Sequence, residues 1–258
     1  MIVVLLAALL GLAVGSFVNV LVWRVPRGES VVRPPSACPA CGEPVRPRHN
    51  VPVLGWLLLR GRCHDCRAAI SVRYPVVELA TAGLFAVMAL RFGPDPVLPA
   101  FLYLTAVGLA LALIDLDCRR LPDALTLPSY PAVALLLALA AVLGSDSGEP
   151  VRALLGGAAM YAFYFALCFA YPAGMGFGDV KLAGVLGLAT AWLGWGAWTV
   201  GLFVGFLLGG VVGIAVIALR RGDRKTALPF GPFMLSGSLV AVLAGPELAQ
   251  AYLRSTGL

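Results

Sequence analysis

The sequence predicts an all-α polytopic membrane protein of about eight transmembrane helices, and three observations predict it. Hydrophobic residues make up 60% of the 258 and charged residues only 12%, with a mean hydropathy of +0.91. A soluble chain carries about 25% charged residues. The apolar residues also fall in long runs, many of them near the roughly 17–25 residues that a spanning helix needs. In lipid such runs must be helices, because each backbone group has to find its partner within the segment. Lastly, the basic residues crowd into alternate connections, as they do in polytopic proteins.

Eight runs qualify: 1–23, 75–90, 97–114, 127–143, 151–170, 180–195, 197–219 and 228–248. The second and sixth, 16 residues each, are the shortest. The first lacks a basic n-region and an A-x-A site at its end, so it is expected to be a retained helix and not a removed signal peptide. Of the 19 Lys and Arg, 16 fall in 24–74, in 115–126, in 171–179 with the adjoining Lys181, and in 220–227. Arg91, Arg152 and Arg254 are left for the other side. Positive loops stay cytoplasmic, so both termini should be outside and the long first loop cytosolic. The net charge of +6 is then a topology signal, and no nucleic-acid partner is expected.

The expected domains are a first transmembrane helix (1–23), a cytosolic zinc-binding loop (24–74) and a seven-helix membrane domain (75–258). The loop contains "CPAC" (Cys38, Cys41) and "CHDC" (Cys63, Cys66), with 21 residues between the pairs. Two such knuckles present four thiolates to one tetrahedral Zn²⁺. Cytosolic thiols stay reduced, which argues against two disulfides. Thiol turns without metal are the alternative, and His49 and His64 are further candidate ligands. With four protein ligands the metal would be structural and would supply folding energy to the loop. Cys118 and Cys168 read as small packing residues.

Five of the 13 carboxylates fall within or beside predicted helices away from their outer ends: Glu78, Asp115, Asp117, Asp123 and Asp179. Such groups at membrane depth cost about 3 kcal/mol or more and default to functional readings. Asp115 closes the third run, and Asp179 opens the sixth behind the glycines of "GMGFGDVKL". The two can meet at one depth and share a proton, one serving as general base while the other polarises a carbonyl. Asp117 and Asp123 read as loop charges beside Arg119 and Arg120. Glu78 is either an interfacial partner of an arginine or functional, and helix capping is the alternative for Asp179. A proton-coupled transporter could use the same pair, although no internal repeat is apparent. A non-catalytic scaffold would leave Asp179 and its glycines without a purpose.

Together these motifs resemble the type IV prepilin peptidases, the bifunctional leader peptidase/N-methyltransferases, over nearly the whole chain. The resemblance rests on "GSFVNVLVWRVPRG", the two C-x-x-C knuckles, "NVPVLGWLLLRGRC", "ISVRYPVVE", "IDLDCRRLPD", "GMGFGDVKL" and "LPFGPFM", in that order. It implies a G-x-G-D intramembrane aspartic protease of the bacterial inner membrane, with Gly176, Phe177, Gly178 and Asp179 forming that motif. Asp115, seven residues before Pro122, matches the first aspartate better than Asp117, which stands five before it. The family removes a short basic leader from prepilins and pseudopilins after a glycine, on the cytosolic side. It then methylates the new N-terminus from S-adenosylmethionine, for which no residue of this sequence is assigned. The nine arginines of the long loop suit anionic membrane lipid better than a basic leader.

Overall fold

The computed structural model describes residues 1–145, 148–172, 174–219 and 228–256, and the described residues are helical with no strand. Among the described residues nine α-helices follow one another: α1 (Ile2–Arg24), α2 (Leu54–Leu58), α3 (Arg73–Phe92), α4 (Leu98–Cys118), α5 (Asp123–Val142), α6 (Pro150–Ala170), α7 (Phe177–Leu193), α8 (Trp195–Ala218) and α9 (Gly231–Thr256). Each of the eight apolar runs lies on its own long helix, and α2 is a short addition inside the loop. Residues 173 and 220–227, within segments on which the expected topology rests, lie outside the described residues.

Among the described residues seven helices are long and apolar enough to cross a membrane. The eighth, α7, has 17 residues. At about 1.5 Å per residue it reaches roughly 25 Å, short of the ~30 Å hydrocarbon core. Its surroundings explain why this suffices. Every residue from Val180 to Trp192 except Lys181 is buried, so protein rather than lipid sets its length.

The chain forms two compact units, one of residues 1–94 with 105–110, the other of 95–104 with 111–258. In the first, α1 lies against α3. Gly11 and Gly15 make the approach close: a Cβ on either would stand 2.7 Å from the Ala82 or Glu78 Cα. Lipid offers no hydrophobic drive between apolar helices, so small residues four apart that admit such packing hold the pair. In the second unit α7 is the axis, contacted by α5, α6, α8 and α9. Gly187 brings it against α6, where a Cβ would lie 2.6 Å from the Gly156 carbonyl. Gly237 of α9 sits equally tight against Gly201 and Gly205 of α8.

Candidate functional site

The glycine-rich turn before α7 ends at Gly176, whose extended backbone precedes the first helical residue. Asp179 is the third residue of α7, and its Oδ2 accepts the Gly176 N–H at 3.1 Å. Capping is therefore part of what Asp179 does, and this contact fixes the carboxylate at the helix start. Gly178, next to it, packs on Leu121, to which a Cβ would come within 3.0 Å.

Asp115 lies three residues before the end of α4, which runs on to Cys118 rather than closing at the aspartate. Its Oδ2 accepts the backbone N–H of Gly231 at 3.0 Å. That amide belongs to the first turn of α9, one of the donors that a helix leaves without an internal partner. Leu121, the residue under Gly178, also approaches Gly231, with its Cδ2 3.2 Å from where a Cβ would be. The starts of α7 and α9 thus converge on one leucine, and at each an aspartate accepts a backbone N–H. The positive ends of two helix dipoles favour carboxylates there.

Both aspartates are buried, at 5% and 8% exposure, and each lies within electrostatic range of the other. The rings of Tyr164, Phe206 and Phe230, the last next to Gly231, form a cluster with centroids 5.3–6.4 Å apart. Asp117, two residues on from Asp115, faces outward and is exposed. Asp123 begins α5 and receives the Lys181 Nζ at 2.7 and 2.8 Å, so it holds α7 instead of standing as a loop charge. The sequence counted Lys181 only among the cytosolic charges and gave Gly231 no role. The signals were a lysine two residues beyond Asp179, and a glycine before the proline of "LPFGPFM".

The cysteine pairs build two matching knuckles in the other unit. Cys38 N–H donates to Glu43 O at 2.9 Å and Gly42 N–H to Cys38 O at 2.8 Å. In the second knuckle Cys63 N–H donates to Ala68 O at 2.8 Å and Arg67 N–H to Cys63 O at 3.1 Å. Gly42 and Arg67 occupy equivalent left-handed positions, φ +77° and +62°. The four Sγ atoms all lie within 4.8 Å of one another, and Cys38 Sγ is 3.7 Å from Cys66 Sγ. A zinc tetrahedron with Zn–S of about 2.3 Å sets its sulfurs about 3.8 Å apart, so the donor set fits that ion. The Cys41 and Ala40 amides bring the Cys38 thiol down to about 7. The Glu43 amide favours the Cys41 thiolate, yet burial and the neighbouring sulfurs drive that thiol well above its usual range.

Around the knuckles, Arg46 Nη2 donates to Asp65 Oδ1 at 2.8 Å and the His49 and His64 rings stack. The His64 ring, together with Arg46, holds Asp65 below the usual carboxylate range. Neither histidine belongs to the cysteine cluster. Glu78 pairs with no described arginine: its Oε2 accepts the Val53 N–H at 2.6 Å and anchors the loop to α3. Cys118 is exposed at the end of α4 rather than packed, while half-buried Cys168 contacts Met175 O at 3.4 Å.

Residues 9–92 match the family described as bacterial peptidase A24 N-terminal domain, and residues 102–214 the type IV leader peptidase family. Proteins of Aeromonas hydrophila and Pseudomonas aeruginosa, both named prepilin leader peptidase/N-methyltransferase, are 37% and 36% identical to the chain. The alignments cover 96% and 98% of this chain and 93% and 94% of those proteins. A Neisseria gonorrhoeae protein of the same name is 38% identical over 95% of the chain and 92% of its own length. No solved structure matches. None of these similarities points to a transporter.

Proposed function

The chain belongs to the type IV leader peptidase family, and on that premise we propose that it is a multi-pass inner-membrane aspartic endopeptidase that removes the basic leader of prepilins and pseudopilins after a glycine. The observation that carries this reading is the pair of buried carboxylates, Asp115 and Asp179, each held through Oδ2 by a backbone amide at a helix start. That hold leaves Oδ1 of each for water and substrate.

Two buried carboxylates that act on each other cannot both ionise at little cost, so the pair keeps one proton between them. The ionised member takes a proton from water, and the resulting hydroxide adds to the scissile carbonyl carbon. The protonated member gives its proton to the carbonyl oxygen, forming a gem-diol. Collapse breaks the C–N bond as the first carboxyl returns its proton to the leaving nitrogen, and the second carboxylate recovers a proton from the diol. Every proton is returned, which is why one pair can turn over repeatedly. Gly176, where a Cβ would stand 3.5 Å from Asp179 Oδ2, lets a substrate backbone come close to that carboxylate.

The orientation follows the basic residues, with the termini outside and the cysteine loop cytosolic. Asp115 and Asp179 then lie at the cytosolic ends of α4 and α7, level with a leader whose pilin helix stays in the bilayer. We assign cleavage to residues 75–258 and a structural Zn²⁺ to Cys38, Cys41, Cys63 and Cys66 of the loop 24–74. The metal would join the two knuckles and neutralise thiolates that repel one another. The relatives' names support N-methylation of the new N-terminus with S-adenosylmethionine as donor, and no residue is assigned to that step. Incubating the purified chain with a prepilin and weighing the products tests the reading. A leader-sized loss supports it, and an intact prepilin beside an active relative refutes it.

A further inference from the structure

Cleavage leaves unused the apolar end of the cysteine loop. Helix α2 turns one side inward, with Gly55 buried on the His49 carbonyl and the Trp56 indole donating to Ile70 O at 3.1 Å. Its other side carries Leu54, Leu57 and Leu58, the spacing that places side chains on one helix face. They are 56%, 55% and 74% exposed, and Val51 beside them is 44% exposed. An apolar cluster of this kind marks an interaction surface.

Its depth identifies the partner. The Val53 N–H, one residue before α2, donates to Glu78 Oε2. Glu78 is the sixth residue of α3, so α2 begins beside the second turn of a span, about 7–8 Å along its axis. Asn19 of α1 donates to the Tyr74 carbonyl at 3.2 Å, which fixes α1 at the same level. Interfacial helices bury their apolar face roughly 5–10 Å into the headgroup and acyl boundary. The charge agrees: residues 44–64 contain Arg46, Arg48, Arg60 and Arg62 and no carboxylate. Arg48, Arg60 and Arg62 are exposed. A surface of this sign attracts anionic headgroups and repels a basic leader.

We propose that α2 is an in-plane lipid wedge, with Leu54, Leu57 and Leu58 in the acyl boundary and the flanking arginines on anionic headgroups. The proposal needs α1 and α3 to span the bilayer and does not depend on the protease reading. The test places a photo-crosslinker on the wedge, Leu58→p-benzoylphenylalanine, with the same change at Leu54 as a second site. The full chain is irradiated in nanodiscs of phosphatidylcholine with or without phosphatidylglycerol, with a prepilin added, and the products are weighed. Lipid adducts are expected at both sites, with phosphatidylglycerol captured several-fold above its share of the mixture. Changing Arg60→Gln and Arg62→Gln together should return capture to the membrane's composition while the adducts persist. Absence of lipid adducts, or crosslinks to the prepilin or to a second copy in their place, overturns the proposal.

Discussion

The backbone N–H of Gly231 donates to Asp115 Oδ2 at 3.0 Å, joining the start of α9 to the end of α4 across 116 positions of sequence. Asp179 makes the corresponding contact at the cap of its own helix, through Gly176. The two carboxylates are therefore aimed by rigid backbone, which suits a reaction that requires them at a fixed separation.

Replacing either aspartate by asparagine keeps its shape and removes the exchangeable proton. Asp115→Asn and Asp179→Asn should each lower prepilin cleavage by roughly 10²–10⁴-fold while the protein still inserts. Asp117→Asn, at an exposed position, should stay near wild type. Mass analysis of prepilin cleaved in liposomes reads all three. Loss in Asp117→Asn with full turnover in Asp115→Asn would show that the partner of Asp179 is the other aspartate.

Gly231 should tolerate no side chain. A Cβ there would stand 2.8 Å from Asp115 Oδ2 and 3.2 Å from Leu121, so Gly231→Ala must displace the carboxylate. A shift of about 1 Å in a catalytic group can cost on the order of 10²-fold, and that is the expected loss of activity. Gly210→Ala, with nothing within 4 Å of the new methyl, should leave activity unchanged. Equal behaviour of the two variants in the same cleavage assay would refute the positioning role.

The eight long helices were legible because the lipid solvent leaves its mark on composition, run length and basic residues at once. The length of α7 was not a lipid signal at all, since protein encloses that helix. The cysteine knuckles were legible because both members of each pair lie within one short turn. Gly231 was not, because its role is a backbone amide more than a hundred residues from its acceptor. Lys181 read as a cytosolic charge, yet its ammonium reaches back to Asp123, a contact that no local pattern encodes. The apolar face of α2 was hidden inside a loop whose cysteines and arginines drew the reading.

Metal analysis of the purified chain should give about one zinc per molecule. Chelation should loosen the loop and spare the spanning helices, visible as faster proteolysis within residues 24–74 alone. The second knuckle holds Arg67 at φ +62°, where the first has Gly42. Arg67→Gly should relieve about 1 kcal/mol of backbone strain and slow zinc release to a competing chelator. Faster release would show that the arginine side chain, and not the turn, governs the site.

The orientation is open to a direct check. A phosphatase active only outside the cytoplasm should be active when fused after Gly144 and inactive when fused after Glu43 or Arg119. Activity at all three sites, or at none, would overturn the eight-span topology.

Helix α7 is tied at both ends, and the ties decide where Asp179 stands. At its start Lys181 binds Asp123 at 2.7 and 2.8 Å, and the Tyr130 hydroxyl donates to the Lys181 carbonyl at 2.7 Å. At its far end the Arg152 guanidinium donates to the Ala191 and Trp192 carbonyls, each at 2.7 Å. Those carbonyls belong to the last turn, where the Gly194 N–H also reaches Ala191 O at 3.0 Å and helical partners run out. Arg152→Met should therefore destabilise the protein by about 2 kcal/mol, read from detergent thermal melts. The Lys181 pair is partly exposed, which limits its coupling to about 1 kcal/mol or less in a double-mutant cycle. Asp123→Asn and Lys181→Gln should each reduce cleavage only a few-fold, and the double variant should be little worse than either alone. That pattern separates a positioning pair from a catalytic carboxylate. If Asp123→Asn abolished turnover while Lys181→Gln did not, Asp123 would belong to the chemistry, and Asp115 would lose its place beside Asp179.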